Sequence, residues 1–504
     1  MSATTDDLSK LLSSASLVFA ASLVGSFSTL IERVVISRLL SPQGYGEVSV
    51  AIAVFSLAAT VGAAGFTQGV PRYMARFDDE RDERGAWLTG LVLTVALSSA
   101  IAVALVAASP IVVPRLFDTD EAMALFLIFA VSVPLFVSFR IAASAIRGQE
   151  NTLYKVLTRD IGYRFARILL IAAFLWVGVG IVGAALGYLV ALVVALVVAY
   201  VLLNRLLPLR GEYELHVTEM TVFSLPLVVS TVMSNLLTRT DTVMLGYFRA
   251  SSEVGIYNAA YPLATSLTVV LGAFGYLYLP MASRIDSEDE GSVERVYEIT
   301  TKWIFLLAFP LFLTVVAFSD QIVSLFFGDE YVAGGAALAV LSVGFFTNAA
   351  VGRNRETLSA LGATQLILVS NVVAFALNFV LNVVLIPPFG FMGAAAASAS
   401  SYVALNVVVY AFLRYRFDIT PFTRSSVRLY VGLPLLIGVP CLLVGRHVGG
   451  GLPVIAVFGV AVTVLTIVSV VLAGGLEPED AVLVEFVERK TGRRVPLIRR
   501  YIPG

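Results

Sequence analysis

The sequence predicts an all-α polytopic membrane protein of about fourteen transmembrane helices, and two observations predict it. Fourteen apolar segments are separated by short polar loops, and the 34 Lys and Arg residues fall almost entirely on alternate loops. With a cytoplasmic N-terminus, 28 basic residues lie on the cytoplasmic side and the remaining 6 on the other, the asymmetry that orients a chain during insertion. A hydrophobic content of 58% excludes an ordinary soluble domain, as does a mean hydropathy of +0.89. Most runs reach the roughly 20 residues a helix needs to cross hydrocarbon. Runs so long and continuously apolar suit helices, which satisfy their own backbone in lipid, better than barrel strands.

In chain order the spans run 15–39, 46–69, 86–109, 122–144, 160–177, 181–203, 222–247, 255–280, 296–318, 331–352, 366–386, 391–413, 429–445 and 452–474. Ahead of them, MSATTDDLSK lacks a basic n-region, so no cleavable signal is expected and residues 1–14 form a short cytoplasmic segment. Spans one to six make a lobe over 15–210 and spans seven to twelve a second over 211–415, because the chain repeats itself. SPQGYGEVSVA (41–51) aligns with ASSEVGIYNAA (250–260), setting Gly46 against Gly255 at an offset of 209. RLFDTDEA (115–122) aligns with LFFGDEYV (325–332), and GIVGAALGYLVALV (180–193) with GFMGAAAASASSYV (390–403), both at an offset of 210. Six helices per repeat is an even number, so the two pseudo-symmetric lobes cross in the same sense, related by an axis along the membrane normal.

Two extra helices, within 416–475, fall outside the repeat. The basic tail over 476–504 reads as a short helix, with Pro478, Glu479 and Asp480 in its first turn, Arg489 and Lys490 in its last, and Gly492 following. Its bases suit anionic headgroups or simple cytoplasmic retention.

Charges inside the spans mark the faces that turn away from lipid, since a charge facing hydrocarbon costs roughly 2.5 to 3.5 kcal/mol on insertion scales. In span one, Ser22, Ser26, Thr29 and Arg33 form a polar stripe beside Glu32. Span seven repeats the design with Thr231, Asn235, Thr238 and Thr242, flanked by Arg239 and by Asp241, the counterpart of Glu32. Two readings follow: a fixed ion pair between the halves, Glu32 with Arg239 or Arg33 with Asp241, or a cluster that binds an ion or gates the outer side. A second group, Arg140, Arg147, Arg164 and Arg167, gathers at the cytoplasmic ends of spans four and five, with Asp160 one turn before Arg164. It serves either the positive-inside rule or a phosphate-binding vestibule, since guanidinium holds phosphate through two parallel hydrogen bonds. Asn371, Asn378 and Asn382 share one face of span eleven, where amides contact sugar hydroxyls or bridge helices. Asn258, on span eight between Tyr257 and Tyr261, joins Asn235 as a candidate lining residue.

Enzymatic motifs are mostly absent. None of Lys10, Lys155, Lys302 and Lys490 sits in a GxxxxGK context, so the chain is not an ATP-driven pump. The single Cys441 allows no intrachain disulfide, and His216 and His447 have no ligand spacing, so neither metal nor cofactor is expected. Asp118 and Asp120 resemble the paired acids of membrane glycosyltransferases; helix capping explains them and their counterparts Asp329 and Glu330 more simply.

The stretches SRLLSPQGYGEVSVAIAVFSLAATVGAAGFTQGVPRYMAR (37–76), DTVMLGYFRASSEVGIYNAAYPLATSL (241–267), LFFGDEYVAGGAALAVLSVG (325–344) and 362–398 resemble the polysaccharide biosynthesis flippases. These belong to the multidrug/oligosaccharidyl-lipid/polysaccharide exporter superfamily. The resemblance covers roughly residues 10 to 415. It implies two six-helix lobes around a central cavity, alternating access, and movement of a lipid-linked saccharide from inner to outer leaflet. Related peptidoglycan-precursor flippases carry functional Arg and Asp residues on their first helix, and Glu32 and Arg33 are the nearest equivalents, in the opposite order.

The expected function is therefore transport without covalent catalysis: flipping a polyprenyl- or dolichyl-(pyro)phosphate-linked saccharide in the cell membrane, both termini cytoplasmic, for surface polysaccharide or glycoprotein assembly. Expected partners are that substrate, membrane lipids, a coupling Na⁺ or H⁺ and glycan assembly enzymes, with no nucleic acid. The alternatives are a cation-coupled multidrug exporter of the same superfamily and a membrane glycosyltransferase or polymerase.

Overall fold

The computed structural model of the chain describes residues 24–25, 27–272, 274, 290–445, 450–478 and 480. Every regular element among them is helical, and eleven helices are long and apolar enough to cross a membrane. Ser22, Ser26, His447 and the basic tail beyond Asp480 lie outside the described residues. Two compact units emerge. The described residues of the first fall within Met1–Pro262, Phe326–Ala337 and Asn371–Ser398; those of the second fall within Leu263–Leu325, Leu338–Ser370 and Ala399–Gly504.

In the first unit, α1 covers 27–39 and is followed by α2 (Pro42–Gly62), α3 (Phe66–Met74), α4 (Glu80–Leu116) and α5 (Ala122–Gly148). The start of α2 has a local cause: Ser41 Oγ accepts from the Gly44 N–H, and Pro42 occupies the first turn, where its missing N–H costs nothing. Asp79 caps α4 through the Arg81 N–H, with Glu80, Asp82 and Glu83 in the turn that favours negative charge. A core of Val70, Trp87, Phe139, Ile146, Ala199 and Leu203 joins α3, α4 and α5 to the helix over Gly180–Leu206. Their outer surface is apolar as well: Val103 is 70% exposed and Ile111 60%. Such a surface is costly in water and suits lipid.

The expected fifth span is composite: α6 (Thr152–Lys155), a π-helical stretch (Val156–Gly162) and α7 (Tyr163–Trp176). The π winding brings residues five apart onto one face. Asp160 accordingly sits 3.9 Å from Lys155 while still acting on the Arg164 charge from beyond ion-pair distance. Next come α8 (Gly180–Leu206), α9 (Val217–Phe248) and α10 (Ser251–Thr265). The loop ahead of α9 is pinned by Arg84, which donates to the carbonyls of Pro208 at 2.7 Å and of Glu212. Asp118 does cap a helix, though not its own: its Oδ2 accepts from the Ser251 N–H at the start of α10, 2.7 Å away.

The remaining helices are α11 (Glu290–Ala317), α12 (Ser319–Phe327), α13 (Gly334–Ala350), α14 (Asn354–Ala360), α15 (Thr364–Phe417), α16 (Arg424–Leu433), α17 (Val439–Gly445) and α18 (Leu452–Leu472). Expected spans eleven and twelve are the two arms of α15, broken at Gly390, whose φ of 57° and ψ of −136° are non-helical. At the break Glu253 accepts from the Phe391 N–H at 3.0 Å. A side chain at position 390 would collide with that carboxylate.

The second unit has its own core of Phe305, Phe309, Leu313, Leu429, Ile437 and Val462. Lys302 is buried there and donates to Asp480 at 2.7 Å. The other Asp480 oxygen accepts from Trp303 Nε1 at 2.8 Å. A buried lysine is tolerated only when paired in this way.

Candidate functional site

Within the first unit α1, α2, α5, α7, α8 and α9 enclose a cavity of about 290 Å³. Its charged lining is Glu32, Arg33, Arg140, Arg159, Arg164, Arg167 and Arg239: six arginines against one carboxylate. Aromatic rings, among them Tyr45, Phe136, Tyr163 and Tyr188, form much of the remaining wall.

Two groups that the sequence kept apart therefore meet, since Glu32, Arg33 and Arg239 share one cavity with Arg140, Arg164 and Arg167. Glu32 is 4% exposed. Its Oε2 accepts from Arg167 Nε at 2.8 Å and from Nη2 of the same guanidinium, while Oε1 accepts from the Tyr188 hydroxyl. The Arg167 guanidinium also lies 5.0 Å from the Tyr163 ring centre and 4.7 Å from that of Tyr188. Arg164 donates to the Gly25 carbonyl and, at 3.0 Å, to Thr29 Oγ1. Arg33 makes a long 3.5 Å contact with Asn258 Oδ1.

The expected pairs Glu32 to Arg239 and Arg33 to Asp241 do not form. Glu32 faces α7 and α8 and is taken by Arg167. Asp241, 1% exposed, lies outside the cavity lining in a separate buried network. It accepts from Tyr257 at 2.7 Å, from Asn382 Nδ2 at 2.7 Å and from Ser398, and Asn378 Oδ1 in turn accepts from Asn382 at 3.0 Å. One amide atom here, Asn382 Oδ1, is buried without a hydrogen-bond partner among the described residues.

Arg147 also departs from the expected vestibule, donating to the Thr67 carbonyl at 2.8 Å and taking no part in the lining. None of Asn235, Asn258, Asn371, Asn378 and Asn382 lines the cavity. Asn258, Asn371, Asn378 and Asn382 are at most 4% exposed, and Asn235 turns back to the Thr231 carbonyl at 3.1 Å. Amides in apolar helices seek such internal partners.

Arg159 is the charged lining residue that sequence reading passed over. At α-helical pitch it would point well away from Arg164, five residues on; the π stretch brings the two onto one face. The basic run RDIGYRFAR was the available signal. Among the described residues, Arg140, Arg159 and Arg239 make no ion pair and no hydrogen bond, and Glu32 acts on Arg239 only from beyond ion-pair distance. Such a surplus of fixed positive charge in a concave site suits an anion.

A family model described as polysaccharide biosynthesis protein matches residues 11–286, more than half of the chain. The chain belongs to this family. A second family model, MatE, matches residues 226–384. A Haloferax volcanii relative named for a low-salt glycan biosynthesis flippase, Agl15, is 28% identical over 204 residues, which are 40% of this chain and only 42% of the relative. A Shigella flexneri relative named for O-antigen transport is 23% identical over 389 residues, 76% of this chain and 92% of its own. Among solved structures, the lipid II flippase MurJ in an inward closed conformation superposes with a TM-score of 0.70 at 13% identity, covering 89% of this chain and 97% of its own. At that identity the likeness speaks for the fold alone. This member of the polysaccharide biosynthesis family is thus a multi-pass helical membrane protein with an arginine-lined cavity.

Proposed function

We propose that the chain flips a polyprenyl- or dolichyl-(pyro)phosphate-linked saccharide from the inner to the outer leaflet, and that the arginine-lined cavity receives its phosphate. The observation that carries this reading is the lining of six arginines and one carboxylate, with Arg140, Arg159 and Arg239 outside any ion pair among the described residues. Charge-assisted hydrogen bonds from guanidinium are the strong ones, and their fork matches phosphate. Names of the relatives, a glycan biosynthesis flippase and an O-antigen transporter, agree in cargo class.

Fourteen helices in two repeated lobes, working by alternating access with both termini cytoplasmic, complete the proposal. One detail supports the repeat: the hydrogen bonds Tyr188 to Glu32 and Ser398 to Asp241 join positions matched at offsets of 209 and 210. The Asp241 network is our candidate for the coupling cation, Na⁺ or H⁺, because it encloses a carboxylate and leaves the Asn382 Oδ1 acceptor free. Glycan assembly enzymes are the expected partners downstream. A multidrug exporter of cationic drugs fits less well, since the cavity repels cations.

The test is reconstitution in vesicles with the lipid-linked saccharide confined to one leaflet, following its exposure to an impermeant lectin. Wild-type protein should expose it. Arg→Lys at Arg140, Arg159 and Arg239 together should slow exposure, because lysine keeps the charge and loses the fork. An unchanged rate in the triple variant removes phosphate from this site.

A further inference from the structure

Resting on the phosphate reading above, we infer that Glu32 is the cavity's built-in counter-anion, and that the substrate's phosphate binds by displacing it from Arg167, which releases α1.

Gly25, Thr29 and Glu32 recur at intervals of four and three, so they share one face of the first helix. Opposite them on α7, Arg164 holds the Gly25 carbonyl and Thr29 Oγ1, and Arg167 holds Glu32 through both Nε and Nη2. Two guanidiniums thus strap the first helix to α7 at two levels. Both also line the cavity, beside Arg140, Arg159 and Arg239.

A carboxylate taking two donors of one guanidinium uses the geometry a phosphate would use. Glu32 and an incoming phosphate therefore compete for the same fork. The unpaired Arg140, Arg159 and Arg239 draw the anion in, and occupation of Arg167 leaves the Glu32 carboxylate beside a second negative charge. Repulsion then favours the position of α1 in which Glu32 has withdrawn. Only a ligand with an anion strong enough to replace the carboxylate gains this energy, so Glu32 sets specificity: a neutral glycan or lipid has no means of freeing α1. The ligand shifts the helix by its differential affinity for the strapped and released positions.

The experiment uses the full chain in a Cys441→Ala background with inorganic pyrophosphate as probe. Spin labels at Ile31 and Leu169, both exposed, report the separation of α1 from α7, and calorimetry reports affinity. In the otherwise wild-type protein, pyrophosphate should lengthen the 31–169 distance. Glu32→Asp keeps the charge while falling one methylene short of the fork. It should show the long distance without ligand and bind pyrophosphate about tenfold tighter, a factor typical of coupled sites. Tyr188→Phe, which removes only the second anchor of Glu32, should move both readouts the same way by less. A purely structural strut predicts weaker binding in both variants, and a simple charge effect predicts no change in either. Pyrophosphate binding with an unmoved 31–169 distance, or no tightening in Glu32→Asp, overturns the displacement and leaves the phosphate site standing. Absence of pyrophosphate binding to the wild-type protein overturns both.

Discussion

Gly46 and Gly255 meet backbone to backbone. A Cβ at Gly46 would overlap the Ser251 carbonyl, one at Gly255 would overlap the Pro42 carbonyl, and each would lie within van der Waals reach of the other residue's amide nitrogen. The two glycines also occupy matching positions at an offset of 209, so the segment that repeats in sequence packs against its own copy. Tyr45 adds a hydrogen bond from its hydroxyl to the Asn258 carbonyl at 3.1 Å.

Valine at either position should be poorly tolerated, because backbone rather than a movable side chain stands in the way. We expect Gly46→Val and Gly255→Val each to cost at least about 1–3 kcal/mol, the usual range for overpacking. Denaturant or thermal unfolding of purified protein in detergent measures it. Wild-type stability in either variant would mean that the crossing opens freely.

Asp241 should behave as the centre of a buried network. Asp241→Ala removes the shared acceptor of the Tyr257 hydroxyl, the Ser398 hydroxyl and the Asn382 amide; Tyr257 keeps only Ser398 Oγ at 3.3 Å and Asn382 only Asn378 Oδ1 at 3.0 Å, which leaves Ser398 stranded. Each stranded donor costs about 1–3 kcal/mol. Ser398→Ala removes one donor and should cost far less. Comparing the yield of monodisperse protein for the two variants gives the order.

Arg147 provides the control for the cavity. Its side chain reaches the Thr67 carbonyl, outside the lining, so Arg147→Lys should leave pyrophosphate affinity unchanged. Arg159→Ala should weaken it by about 1.5–3 kcal/mol, the value of a hydrogen bond to a charged group. Calorimetry on the two variants side by side decides between the set read from sequence and the set assembled by the fold.

Lys302 and Asp480 should show the asymmetry of a buried ion pair. Lys302→Met alone leaves the buried Asp480 carboxylate uncompensated, at about 3–5 kcal/mol; Asp480→Asn should cost less, because Glu477 stays 3.3 Å from the Lys302 ammonium, and Lys302→Met with Asp480→Asn should recover part of the first loss. Thermal stability of the two singles and the double checks this.

The orientation expected from the basic residues is open to labelling. In a Cys441→Ala background, cysteine at Asp79 should resist an impermeant maleimide in intact cells, and cysteine at Ser252 should react. Labelling at 79 would invert the topology and with it the direction of transport.

The sequence by itself determined the helical membrane class, the family and the residue types of the site. Those follow from long apolar runs, from motif residues, and from the rule that intramembrane charges avoid lipid; all are local properties. Glu32, Arg33, Arg140, Arg164, Arg167 and Arg239 were legible as charges turned away from lipid for that reason, and the structure gathers them around one cavity. Which charge meets which was decided only by tertiary structure. Matching Glu32 with Asp241 could not reveal that one carboxylate would face an arginine on α7 while the other sank among Tyr257, Asn382 and Ser398. Arg159 entered the cavity through seven residues of π winding, which no α-helical periodicity anticipates. Side-chain partnership depends on helix rotation and crossing, and packing sets these across hundreds of residues, whereas hydrophobicity acts one segment at a time.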